Sequence, residues 1–137
     1  MNIEIYNPLR LMILVSFQLA DDKDSFDLTV CKVLGQTTRT FRFTAVGDCC
    51  SHTFIESVIE PSALTPGATI VDVRDILMPD QPYDESIHEC LEFYGLAIHT
   101  TKGIAIIDYR NSSNGYYGGN LVLSEVTHCF EGVTINQ

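Results

Sequence analysis

Basic residues are scarce in this chain. Its 137 residues include 8 lysines and arginines against 18 aspartates and glutamates, for a net charge of −10 and an isoelectric point of about 4.5. Direct nucleic-acid binding needs a basic face to neutralise phosphates, so it is not expected. Anionic membrane surfaces are disfavoured for the same reason. Long apolar runs are missing too. The longest one near the N-terminus, residues 11–15, passes into alternation as Ser16 and Gln18 interrupt Phe17 and Leu19. It is too short to span a bilayer. It also lacks the lysine-rich start and small-x-small cleavage site of a secretory signal, so a cytoplasmic protein is expected.

Metal-ligand spacing is equally lacking. The five cysteines are Cys31, Cys49, Cys50, Cys90 and Cys129. None forms a C-x2-C pair, and the histidines near them (His52, His88, His99 and His128) show no H-x3–5-H spacing. No metal and no cofactor is therefore expected. The odd count and the adjacent Cys49-Cys50 pair fit reduced thiols that serve as small apolar side chains.

What remains is ordinary globular composition, with 45% hydrophobic and 19% charged residues. The length suits one domain over residues 1–137. Strand signals recur along it. Residues 11–19 and 26–34 flank the acidic turn ADDKDS and read as a hairpin. In 38–46, Phe41, Phe43 and Ala45 alternate with Thr40, Arg42 and Thr44. Residues 69–76 follow a Pro66-Gly67 turn, 96–101 and 103–110 read as a second hairpin, and 120–127 as a last strand.

One helix is expected after Thr53. Thr53 and Glu56 have capping-box spacing, Phe54, Ile55, Val58 and Ile59 form a stripe, and Pro61 ends it. A short turn follows at 62–64. Residues 78–92 read as an acidic, proline-broken excursion with a helical turn around 85–91. The expected class is α+β: a mostly antiparallel sheet of five to seven strands with one main α-helix on a face.

Two stretches carry chemistry. GDCCSHT, residues 47–53, would lie at that helix's N-terminus, where free N–H groups and the dipole lower a thiol pKa and attract anions. Cys50 would then be a nucleophile with His52 as its base. The competing reading has Asp48 and Ser51 completing a turn while Cys49 and Cys50 pack. The second stretch is YRNSSNGYYGG, residues 109–119, which crowds an arginine, two asparagines, two serines and three glycines among its tyrosines.

Each of those residue types suits recognition. Arg110 offers a planar fork for carboxylate or phosphate. Asn111, Ser112, Ser113 and Asn114 offer donors and acceptors, and Asn114-Gly115 is a tight-turn signal. Tyr116 and Tyr117 offer rigid amphipathic contact area. A plain turn needs only Asn-Gly, so the surplus points to recognition. Seven acidic residues between Asp72 and Glu92 face one basic residue, Arg74. That array suits either phosphate mimicry or a solvated edge.

Together, GDCCSHTFIESV (47–58) and TTKGIAIIDYRNSSNGYYGG (100–119) resemble a family of small uncharacterised bacterial and phage proteins, a domain of unknown function with a GDCCS turn and a YRNSSNGYYGG loop. The chain departs from it at His52-Thr53-Phe54-Ile55, where that family has a serine and a tryptophan-phenylalanine pair. It has no tryptophan at all, which removes any indole stack. The resemblance implies no catalytic residues. It implies a phage or mobile-element setting, and hence the host cell cytoplasm, where compact acidic proteins often inhibit defence systems.

The expected function is therefore a non-enzymatic binding protein: a phage-encoded inhibitor of a bacterial defence system that contacts a host protein or complex through its basic surface. The binding residues would be Arg110, Asn111, Ser112, Ser113, Asn114, Tyr116 and Tyr117 with Asp48, Cys49, Cys50 and Ser51. Two alternatives stay open. One is binding of a small anionic ligand such as a signalling nucleotide, with a homo-oligomer possible. The other is a cysteine-dependent enzyme.

Overall fold

The computed structural model describes residues 3–126 and is built almost wholly from strands. These are β1 (Ile13–Leu19), β2 (Ser25–Cys31), β3 (Arg39–Gly47), β4 (His52–Ile59), β5 (Ile70–Leu77), β6 (Cys90–Thr100), β7 (Gly103–Ser113) and β8 (Gly119–Val126). Besides them there are two 3-10 turns, Ile3–Leu9 and Pro61–Leu64. The strands form two four-stranded sheets, ordered β1-β2-β3-β8 and β4-β7-β6-β5, with every neighbouring pair antiparallel.

Alternation drives the first sheet. Phe26, Leu28 and Val30 of β2 and Phe41 and Phe43 of β3 face inward, and Phe26 stacks on Phe43 with centroids 4.8 Å apart. Each such buried side chain contributes about 1.5–3 kcal/mol. They share one core with Ile55, Ile70, Val73, Leu96, Ile98, Ile107 and Tyr109 of the second sheet. The β1 and β5 edges meet at one border, where Leu14 N–H donates to Ala68 O and Ile13 bridges Thr69. The N-terminal 3-10 turn brings Tyr6 and Leu9 into the same core.

The expected α+β class is overturned: the described residues contain no α-helix. The segment read as the helix after Thr53 is β4, paired antiparallel with β7. A bulge between Ile55 and Ser57 explains the misleading pattern. Thr53 and Ile55 point inward, the extra residue breaks the alternation, and Val58 returns to the core. The resulting spacing of apolar residues imitates a helical stripe.

Both expected hairpins form, as β1-β2 and β6-β7. The second is longer than expected, because β6 starts at Cys90 and β7 runs on to Ser113. The short turn expected at 62–64 lies within Pro61–Leu64. In the excursion the N–H groups of Ile87 and His88 both donate to Asp84 O and the Asp84 carboxylate accepts from the Ser86 N–H and hydroxyl, so a single turn forms over 84–88 and does not extend to Leu91. Of the last expected strand, β8 covers all but Thr127, which lies outside the described residues with His128 and Cys129.

Candidate functional site

The two sequence motifs meet in space. Residues 48–51 carry the chain from β3 in the first sheet to β4 in the second, and residues 114–118 carry it back from β7 to β8. These crossovers lie side by side. Gly47 pairs with Gly119, Asp48 N–H donates to Gly118 O at 3.0 Å, and the Ser51 hydroxyl lies 3.0 Å from that carbonyl and 2.9 Å from Asp48 O. Glycine permits this closeness. A Cβ on Gly119 would overlap Thr53 Oγ1, and one on Gly47 would approach Ser51 Oγ to 2.6 Å.

Asn111 closes the joint from inside. It is fully buried on the inward face of β7. Its Oδ1 accepts from the Thr53 hydroxyl at 2.9 Å, while its Nδ2 donates to Glu92 Oε1 at 3.1 Å and to Tyr117 O at 2.7 Å. One amide thus ties β4, β6 and the 114–118 turn together, with both of its ends occupied. The turn is set by its own side chains. Ser113 Oγ accepts from Gly115 N–H at 2.9 Å, and Asn114 Oδ1 from Tyr116 N–H at 3.0 Å.

Arg110 points to the opposite, outer face of β7. Its Nη2 lies 3.2 Å from Asp108 Oδ2 and its Nη1 4.0 Å from Glu56 Oε1, and its guanidinium covers the Phe93 ring at 4.9 Å. The side chain is 16% exposed. Its charge is thus already neutralised. Beside it runs an aromatic row that the sequence reading missed. His52 stacks on Phe54, Phe54 on His88, and Tyr83 borders both His88 and Phe93. Ser112 Oγ lies 2.7 Å from His88 Nδ1 and so fastens the acidic excursion to this face. The signal was present in the alternation of His52 and Phe54, but the helical reading of this segment hid it.

Solvent meets a different set of groups. Tyr116 is 89% exposed, Tyr117 is half-buried with its ring 6.4 Å from that of Tyr116, and Cys49 and Cys50 are exposed. Cys49 takes a left-handed backbone (φ 37°), and the two Sγ atoms lie 3.1 Å apart. Their hydrogen bond pushes the Cys50 thiol above its ordinary range, the reverse of what a thiolate nucleophile needs. No helix dipole acts on it, since β4 takes the helix's place. Among the described residues, no group of three or more His, Cys, Asp or Glu side chains is placed to hold a metal ion. None of the helices there is long and apolar enough to cross a membrane.

No curated protein and no solved structure matches the chain. A family model does match, over residues 22–123, a span that contains both crossovers, Asn111 and Arg110. The chain belongs to that family, described as a domain of unknown function (DUF7448).

Proposed function

We propose that this is a non-catalytic binding protein that engages a protein partner through the end of the sandwich where the two crossovers meet. The observation that carries the reading is Tyr116: a large ring, 89% exposed, on a turn fixed from below by Asn111, Ser113 and Asn114. Rigid, exposed tyrosines supply contact area at little entropic cost and are frequent anchors in interfaces. Asp80, Asp84, Glu85 and Glu89 are exposed on the excursion that His88 fastens to Ser112. Their charge would steer a basic surface toward the tyrosines. In the phage setting that the sequence resemblance implies, the partner would be a host defence protein or complex.

The geometry lends less support to the other readings. An anionic ligand would need a free cation, and Arg110 already faces Asp108 and Glu56. A cysteine-dependent reaction would need a positioned base, and the His52 ring stacks on Phe54. The test is affinity capture from host cells with the wild-type chain and with Tyr116→Ala/Tyr117→Ala. A stoichiometric partner, lost or weakened about tenfold or more in the variant and released by salt, is expected. Equal capture by both proteins would defeat the proposal.

A further inference from the structure

A cleft opens between the C-terminal half of β5, the N-terminal 3-10 turn and β8. It has two lobes of about 380 and 250 Å3 that share Asp75 and Tyr109. The first is also lined by Leu77, Tyr94 and Gly119, and the second by Tyr6. Two of its polar groups bear on what it could hold. Asp75 pairs with Leu96 and shares a side of β5 with buried Val73, but it lies toward the end of the strand and is exposed, so its carboxylate stands at the solvent-facing mouth of the cleft. Tyr109 is only 5% exposed, and its hydroxyl has no hydrogen-bond partner among the described residues. Its ring stacks on that of Tyr94 at 5.3 Å.

The charge of the cleft has one sign. Tyr6 donates to Asp75 Oδ1 at 3.0 Å, which orients the carboxylate and leaves Oδ2 open. No lysine or arginine pairs with Asp75 among the described residues, and none lines either lobe. A carboxylate at the mouth of a cleft with no cation beside it favours a cationic, hydrogen-bonding partner. Aromatic rings favour the same charge, and so does a chain of net charge −10. The larger lobe has the volume of a small-molecule site.

We propose that this cleft binds a small primary organic ammonium. The ammonium donates to Asp75 Oδ2 and to the Tyr109 hydroxyl oxygen, and the hydrocarbon part lies against Leu77 and the Tyr94 ring. Primary ammonium is the class because its N–H donors can serve both acceptors with one to spare for solvent, whereas a quaternary ammonium has none to give. The site is separate from the exposed tyrosines at 116 and 117, so it stands or falls independently of the partner-binding reading.

The test uses the full chain with benzylammonium as the probe and benzyl alcohol and benzoate as controls, read by calorimetry and two-dimensional NMR. Expected are saturable one-to-one binding of benzylammonium only and amide shifts concentrated at Asp75, Tyr94, Tyr109 and Gly119. Asp75→Asn should weaken binding about tenfold or more, the scale of one charge-assisted hydrogen bond. Tyr109→Phe, which keeps the ring packing, should weaken it by a smaller factor. The surface variant Asp21→Asn/Asp24→Asn, at exposed positions that line neither lobe, should bind as the wild type does. Equal binding of benzyl alcohol, shifts spread over the acidic surface, or equal losses in Asp75→Asn and the surface variant would each overturn the proposal. So would an Asp75→Asn protein that stays folded and binds undiminished.

Discussion

Replacing Asn111 by alanine should cost about 4 kcal/mol of folding stability. The side chain is fully buried and makes three hydrogen bonds, to the Thr53 hydroxyl, the Glu92 carboxylate and the Tyr117 carbonyl. A neutral bond contributes about 1 kcal/mol net and one to a charged group about 1.5–3. Truncation also strands the Thr53 hydroxyl and the Tyr117 carbonyl, at about 1–3 kcal/mol each where water cannot reach them. These contributions overlap rather than add, which places the loss near the middle of their range. Domains have only about 5–15 kcal/mol to lose, so the change is severe. Urea unfolding reads it as a drop in midpoint at unchanged slope.

Asn111→Asp refines the test, because it keeps the shape, removes the amide donors and sets a carboxyl against Glu92. Burial and that neighbour raise the introduced carboxyl's pKa in the folded state. Its stability deficit is therefore smallest at acid pH and grows as pH rises past about 4. A loss below about 1 kcal/mol in Asn111→Ala, or a deficit in Asn111→Asp that does not depend on pH, would refute the idea that this amide locks the two crossovers together.

Three further outcomes follow from the same geometry. Gly119→Ala should fail to fold or lose several kcal/mol, because its Cβ overlaps Thr53 Oγ1, whereas Gly118→Ala, with nothing within 4 Å of its Cβ, should melt within a few degrees of wild type. Burial, reinforced by Asp75, pushes the phenols of Tyr6 and Tyr109 well above the usual tyrosine range. The unfolded chain therefore ionises them first, so their contribution is complete below about pH 10 and is lost as pH rises beyond it. Tyr6→Phe should flatten that alkaline decline in a melting-temperature series. Cys49→Ser/Cys50→Ser removes only exposed thiols. It should leave urea stability within about 0.5 kcal/mol of wild type, and a larger loss would mean that the thiols pack.

The sequence disclosed the strands wherever burial kept a period of two, as in Phe26, Leu28 and Val30 or Phe41 and Phe43. It misled at β4, where one bulge residue turned a strand's spacing into a helix's, and where Thr53 and Glu56 mimicked a cap. The reach of β7 was hidden for another reason. Its inward positions beyond Tyr109 are Asn111 and Ser113, polar residues made affordable by partners on β4, β6 and the following turn. No local pattern announces such long-range satisfaction. The same cause divides the residues named from sequence. Asn111, Ser113, Asn114 and Ser51 hold the joint, Ser112 holds the excursion, and Arg110 is paired, while Tyr116, Cys49 and Cys50 reach solvent.

The proposal of partner binding through this end is tested most directly by the affinity of Tyr116→Ala for a purified partner that the wild-type chain captures from host cells. Calorimetry should show binding weakened about tenfold or more, at unchanged melting temperature of the variant. A variant that binds the partner as tightly as wild type would contradict it.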